Sequence, residues 1–395
     1  MVVQKKEQHQ GYNSDMETTP LPPPVWISSS IDLAQVCHTI QHEPRIAVDT
    51  ESNSLFAYKE KVCLIQISTP EMDYVIDPFI CNDLSPLETL FSHLHQEKIF
   101  HASEYDLICL KRDYGFSFVN IFDTMIAARI LGIEAVGLGS LLKDFFGISL
   151  EKKYQRANWG IRPLPPEMLD YARLDTHFLF QLRDLLENQL AINNLLDLAH
   201  EDFISACNAQ AQTNETHHCE CWRVAGANHM DARQATILNE LCLYRDDQAR
   251  KADLPLFKVI SNELLFEISK HKPISLDDLS TVPHCPEKII RRHGENLVKA
   301  VARGEQAPLI SRQKPHRPDD ANIARIDLLR EWRKQTAKQL KVESDIVLPK
   351  DLLERIAAMN PTSKPELRTV MKESLVRYRK FGNLILKTLK SQENV

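Results

Sequence analysis

The sequence predicts an α/β domain built on a mixed sheet, followed by one or two small all-helical domains. Three observations carry this expectation. Strand-like runs come first and then alternate with helical patterns, the order expected of an α/β domain. Beyond Trp222 the apolar periodicity is almost purely helical. The chain has 395 residues, too many for one core, and its 43% hydrophobic content suffices for several.

In chain order, residues 1–24 are polar, end in a proline run and lack the apolar stretch of a signal peptide, so they read as a disordered tail. Order is expected to begin near Val25-Trp26-Ile27, with a short helix over 30–40. RIAVDTES (45–52) alternates as a strand and VCLIQIS (62–68) is nearly all apolar, while YVID (74–77) and KIFHA (98–102) are shorter strands. Helical patterns start at Ser103, Asp123 and Gly139, and a long one runs from about Pro166 to Leu190. These elements place the α/β domain at 25–205. A polar linker follows at 206–219, then a helical domain at 220–303, a proline-bearing linker at 304–320 and a further helical block at 321–395. Segments 241–269 and 328–357 resemble each other as a loose repeat, each with a β-like hydrophobic joint between two helices.

Composition narrows the setting. No run of about 18 apolar residues occurs, so no membrane helix is expected. Nine scattered cysteines, an odd number without a secretion signal, point to the cytoplasm. The net charge of −6 conceals a basic end: residues 311–395 hold 19 Lys+Arg against 11 Asp+Glu. That end reads either as a contact for a polyanion or as a solvated helical surface. His217, His218, Cys219 and Cys221 look like zinc ligands, but C-x-C is tighter than the usual paired motif. No phosphate-binding glycine loop is present, Gly137-x-Gly139 being too short, so no nucleoside triphosphate is expected.

The chemistry lies in acidic residues. Asp49 and Glu51 are two apart in a strand, so both point to one face, where a cation would relieve their repulsion. Alone, they also read as exposed acids at a strand end. Asp106 lies 57 residues after Asp49 at a helix start, where Ser103-x-x-Asp106 equally fits a capping box. Tyr171 and Asp175 are four apart on a helix and share a face, with Leu169, Leu174 and Phe178 available for the buried side. That pair also reads as scattered surface polarity.

The order and flanking text of these residues resemble the DEDD exonuclease superfamily in its tyrosine-bearing branch. AVDTESNSLFAYKEKVCLIQIST, FHASEYDLICL and NWGIRPLPPEMLDYARLDTHFLFQL are similar to the three motif regions of ribonuclease D and of the related exosome-associated nuclease. The helical block WRVAGANHMDARQATILNELCLYRDDQARKADLPLFKVI resembles the helicase-and-RNase-D C-terminal (HRDC) domain, and the last block a divergent second copy. The resemblance implies a ribonuclease-H-like mixed-sheet fold and a 3′-5′ exoribonuclease that releases nucleoside 5′-monophosphates. It implies two divalent cations, Mg²⁺ or Mn²⁺, with Asp49 bridging both and Glu51 and Asp175 on the one that carries the attacking water. Asp106 would hold the second, and Tyr171 would orient the water. Its partner would be RNA with a free 3′ end, transfer RNA precursors being favoured, and a monomer is expected. A DNA-directed exonuclease of the same chemistry and a non-enzymatic nucleic-acid scaffold are the rival readings. Lys153, Gln155 and Arg162 are expected near the nucleic acid, and Asn53 and His101 are further candidates. Trp159 is expected either to pack beneath its loop or to stack on a base.

Overall fold

A computed structural model describes residues 21–210, 230–310 and 319–391. The elements of the first part are β1 (Val25–Ile27), α1 (Ser30–Ile40), β2 (Arg45–Ser52), β3 (Val62–Ser68), β4 (Asp73–Ile76), α2 (Ser85–Phe91) and β5 (Glu97–Phe100). Then come α3 (Glu104–Tyr114), β6 (Ile121–Asp123), α4 (Thr124–Ile130), α5 (Leu138–Phe146), α6 (Pro166–His177), α7 (Leu179–Ile192) and α8 (Leu196–Cys207). The six strands form one sheet in the order β1-β4-β3-β2-β5-β6. β1 runs parallel to β4, β3 antiparallel to β4, and β2, β5 and β6 run parallel in sequence, so the sheet is mixed.

The sheet is covered on both faces, which explains why β3 is largely apolar and buried along its whole length, Gln66 and Ser68 included. One face receives α6, which packs on β3 and β4 over Cys63, Leu64, Val75, Met168 and Ala172. On the other part of the sheet α7 lies on β5, and α4 and α8 lie on β6. The buried face of α6 is Met168, Ala172, Arg173 and Thr176, not the Leu169, Leu174 and Phe178 expected from the sequence, all of which remain partly exposed. The expected long helix is in fact two, because α6 ends at His177 and α7 starts at Leu179. β6 was not anticipated; three residues are too few to show a period.

Two helical sets follow. The first is α9 (Ala232–Ala252), α10 (Leu256–Val259), α11 (Asn262–His271), α12 (Leu276–Thr281) and α13 (Glu287–Gln306). The second is α14 (Asp320–Leu340), α15 (Ser344–Val347), α16 (Lys350–Met359), α17 (Lys364–Val370) and α18 (Leu375–Lys390). Every helix of the second set starts 88 residues after its counterpart, as Ala232 and Asp320, or Glu287 and Leu375, show. The loose repeat is therefore a register-true duplication without insertion. The joint expected to be β-like is a single helical turn closed by one extended residue, Ile260 in the first copy and Leu348 in the second. In both copies an arginine of the long first helix holds that residue: Arg245 Nη1 donates to the Ile260 carbonyl at 3.1 Å, and Arg333 Nη1 to that of Leu348 at 2.8 Å.

The described residues fall into two compact units. One comprises the chain up to Glu51, residues 62–210 and the second helical set; the other comprises Ser52–Lys61 and the first helical set. Within the first unit the second helical set is tied to the α/β domain. Arg377 of α18, only 2% exposed, bonds Glu201 at 2.9 Å and Asp202 at 2.6 Å, both on α8. Arg129 of α4 bonds Glu343 at 2.6 Å and Asp345 at 2.5 Å. Gly132, in the left-handed region at φ 74°, lies against the Lys341 carbonyl so closely that a Cβ would collide with it. Within the second unit the segment 52–61 is held to the first helical set. The Tyr58 hydroxyl donates to Asp246 at 2.7 Å, and Lys258 sits 4.1 Å over the Phe56 ring.

Six described cysteines (37, 63, 81, 109, 207 and 285) form no disulfide, whereas Cys242 is disulfide-bonded. Cys37 and Cys63 are pushed up to about 12 by burial, as expected of inert core thiols. Most of the expected tail, much of both linkers and the His217, His218, Cys219 and Cys221 cluster lie outside the described residues. Among the described residues no helix is long and apolar enough to cross a membrane.

Candidate active site

Asp49 and Glu51 stand near the end of β2, and Asp175 faces them from α6. The three carboxylates offer oxygens that all lie within 4.8 Å of one another. What holds Asp175 there is a polar chain at the end of its helix. The Thr176 and Ser68 hydroxyls are 2.6 Å apart, Ser68 donates to Asp73 at 2.6 Å, and His177 Nδ1 lies 3.0 Å from the same carboxylate. These contacts fix the last turn of α6 to β3 and β4, so helix and strand carboxylates meet at a set height.

Asp106 sits in the first turn of α3 and is 6% exposed. The capping reading of this residue does not hold. Ser103 has helical backbone angles, and its hydroxyl makes no hydrogen bond. The N–H groups at that corner are taken instead by Asp123, which accepts from Ser103 at 2.7 Å and from Ala102 at 3.2 Å. Asp106 accepts a short hydrogen bond from Thr50, the residue between Asp49 and Glu51 in the chain.

The acids repel one another in a poorly solvated place. Burial raises Asp49 well above the usual carboxylate range, and Asp106, Asp175 and Glu51 add to it. Glu51 is pushed up to about 9 by burial, then by Asp175 and Asp106. Asp175 is raised to about 7 by burial. Asp106 also reaches about 7 through burial, with the Thr50 hydrogen bond opposing the rise. A group of acids this costly to ionise fits a cation, and an all-carboxylate donor set suits hard ions such as Mg²⁺ or Mn²⁺.

Tyr171 lies one helical turn before Asp175, between two aromatic rings. Tyr154 meets it edge-on at 5.6 Å and Trp159 lies tilted at 6.2 Å. Its phenol is raised by burial and by Asp175, Glu51 and Asp49, so it keeps its proton near neutral pH. It can orient a water molecule but not deprotonate one. Trp159 is 1% exposed and belongs to the core beneath its loop, which decides for packing over base stacking.

The remaining candidates separate. Lys153 and Gln155 are exposed, and Lys153 lines a cleft of about 400 Å³ together with Leu150, Tyr154, Tyr171, Leu174 and Asp175. Arg162 is used by the protein itself. It pairs with Asp77 at 2.6 and 2.7 Å and donates to the carbonyls of Trp159, Ile161 and Cys63. All five guanidinium N–H groups are thereby taken and none is left for a phosphate. Asn53 closes its own loop, its side-chain oxygen accepting from the Lys61 N–H at 2.8 Å. His101 is partly buried, with Nδ1 2.8 Å from the Thr124 hydroxyl, and burial lowers its pKa. Sequence reasoning missed Thr50, Tyr154 and the Ser68–Thr176 contact, because each acts on a residue distant along the chain or on the neighbour of one.

Comparison with known proteins agrees with this geometry. Residues 24–191 match the family model described as 3′-5′ exonuclease, and residues 234–301 and 323–389 match the HRDC domain. Protein RRP6-like 2 of Arabidopsis thaliana is 33% identical over 291 residues, covering 70% of this chain and 33% of that protein. The exosome complex exonuclease RRP6 of Saccharomyces cerevisiae is 30% identical over 293 residues, covering 70% and 40%. This chain thus spans less than half the length of these curated relatives. The catalytic core of RRP6 from Trypanosoma brucei superposes with a TM-score of 0.62 at 26% identity, covering 73% of this chain and 81% of that one. Escherichia coli RNase D shares the fold at a TM-score of 0.67 and 21% identity, covering 89% and 99%. Residues 24–191 therefore form a 3′-5′ exonuclease domain, and two HRDC domains follow it.

Proposed function

We propose that the enzyme is a 3′→5′ exoribonuclease that hydrolyses phosphodiester bonds at divalent cations held by Asp49, Glu51, Asp106 and Asp175. The observation that carries this reading is the convergence of three carboxylates within 4.8 Å in a place that raises their pKa values. Cations bound there supply a water of lowered pKa and relief of charge on the departing 3′ oxygen. The chain's own residues do the rest. Asp175, pinned through Thr176, and Asp49 and Glu51 on their strand fix where positive charge sits. Tyr171, braced by Tyr154 and Trp159, presents its hydroxyl to the attacking water. Lys153, which lines the cleft, is the cation offered to a substrate phosphate, and the exposed Gln155 is a further candidate contact. Asn53 and His101 remain secondary candidates for the terminal nucleotide.

Two sources bear on the RNA. The ribonuclease D resemblance favours transfer RNA precursors, and relatives named for the exosome favour other 3′-extended RNAs. The Cys242 disulfide runs against the cytoplasmic location expected from cysteine usage, and a monomer is the proposed state. The test is to incubate the full chain with a transfer RNA carrying extra 3′ residues, with and without Mg²⁺ or Mn²⁺. Matched RNA and DNA oligomers with free 3′ ends are run alongside. Metal-dependent shortening of RNA from the 3′ end with release of nucleoside 5′-monophosphates is expected. Internal cuts, or shortening of DNA only, would overturn the reading.

A further inference from the structure

The register-true duplication allows the two helical sets to be compared position by position, and they differ most in one place. In the second set, residues 361–391 carry eight Lys+Arg (364, 368, 372, 377, 379, 380, 387 and 390) against Glu366 and Glu373, a net of +6. The equivalent residues 273–303 of the first set carry five (288, 291, 292, 299 and 303) against four acids (277, 278, 287 and 295), a net of +1. The fold is the same, so the added charge is not something the fold requires.

The charge gathers around a groove. A depression of about 510 Å³ lies between the start of α17 and the second half of α18, lined by Thr362, Ser363, Lys364, Asn383, Lys387 and Lys390 around the apolar Leu386. On α18 the positions 379, 383, 387 and 390 fall along one face, so Arg379 extends the lysine stripe by a further turn. At 88 residues' distance the first set has Leu276, Glu295, Lys299 and Ala302 where the groove has Lys364, Asn383, Lys387 and Lys390. Three cations and an amide thus stand where the first copy has one cation, one acid and two apolar residues. Lys364, Lys387 and Lys390 are exposed and have no ion-pair partner among the described residues. Glu366, at the rim, is already held by the Thr362 N–H and by the Thr362 and Ser363 hydroxyls.

The opposite specialisation sits on the same helix. Arg377, which anchors α18 to Glu201 and Asp202, replaces Ile289 of the first copy. One side of α18 is therefore tied to the nuclease domain while another presents unpaired cations.

We infer that the groove between α17 and α18 is a docking site for the sugar-phosphate backbone of the RNA substrate, away from the acids that cleave it. Lysine ammonium groups neutralise backbone phosphates without reading sequence, and Asn383 can donate to a phosphate oxygen. A surface of this kind raises affinity for long RNA and leaves the chemical step unchanged. The inference rests on the exoribonuclease reading for its choice of polyanion.

The test compares Lys387→Gln/Lys390→Gln with a control of equal charge loss on α14, Lys334→Gln/Lys338→Gln, both in the full chain. Binding of a fluorescein-labelled single-stranded RNA of about 20 nucleotides is read by anisotropy in chelator, across a salt series. The groove variant is expected to bind about tenfold more weakly, with a salt slope shallower by about 1.4, two contacts at about 0.7 each. The control is expected to stay within about twofold of the parent. Cleavage of a trinucleotide with Mn²⁺, a substrate too short to span both places, is expected to be equal in all three proteins. If the groove variant loses no more affinity or salt slope than the control, the inference is wrong. If no protein cleaves the trinucleotide while RNA binding still depends on the groove, the exoribonuclease reading fails and the docking site stands.

Discussion

Replacing Asp175 by Asn should make the cation-free protein more stable while abolishing its activity. Asp175 is raised from 3.8 to about 7 by burial, so the unfolded chain releases this proton at a lower pH than the folded one does. Stability from this group is thus greatest in acid and falls as the pH rises from about 4 to about 7. At pH 8 the cost is present in full. Three pKa units correspond to about 4 kcal/mol at the limit. The site is partly open to solvent, which reduces the gain to about 2 kcal/mol. For a unit of this size that raises the Tm by roughly 5 °C. The assay is thermal unfolding in chelator at pH 8, repeated with Mg²⁺. The parent should gain Tm when Mg²⁺ is added, and the variant should gain little. An Asp175→Asn protein no more stable than its parent in chelator, or one stabilised equally by Mg²⁺, would refute the electrostatic account of the site.

Other consequences follow from the contacts. Tyr171→Phe removes the hydroxyl but keeps the ring between Tyr154 and Trp159; single-turnover cleavage should slow about a hundredfold with Mg²⁺ affinity by calorimetry unchanged. Arg162→Ala leaves the fully buried Asp77 without its cation and should cost about 3–5 kcal/mol in denaturant unfolding, with RNA affinity retained in chelator. Gly304→Ala would put a Cβ 2.5 Å from the Ile237 Cα, so the first HRDC domain should lose about 1–3 kcal/mol, read as a lower urea midpoint.

The sequence was most legible where a local period met a buried face. β2 and β3 occupy the expected spans, 45–52 and 62–68, because alternation in the one and a nearly unbroken apolar run in the other are each sheet signatures. Asp49 and Glu51 could be read as a pair for the same reason, and Tyr171 and Asp175 through helical spacing. What brings the two pairs together could not be read, because it lies in tertiary contacts such as Ser68 with Thr176, 108 residues apart. The boundary at Phe178 was invisible because no proline or glycine marks it. Asp106 shows the limit in the other direction: Ser103-x-x-Asp106 has capping spacing, yet Asp123 takes the N–H groups from outside the helix. Arg162 was expected near the nucleic acid from the family resemblance, and only its five internal bonds reveal a structural role.

The Arg377 clamp has a consequence for how the chain reaches its native state. Its partners, Glu201 and Asp202, emerge from the ribosome 176 and 175 residues before it, with the whole first HRDC domain made in between. That domain draws on its own contiguous helices and can condense early, since its contacts are short in sequence. The nuclease cannot finish in the same way. Until α18 arrives, Glu201 and Asp202 wait as a pair of acids on an incompletely covered surface, and the loop that must close is long. Synthesis therefore runs ahead of folding in the catalytic part, and α18 completes a domain begun well before it.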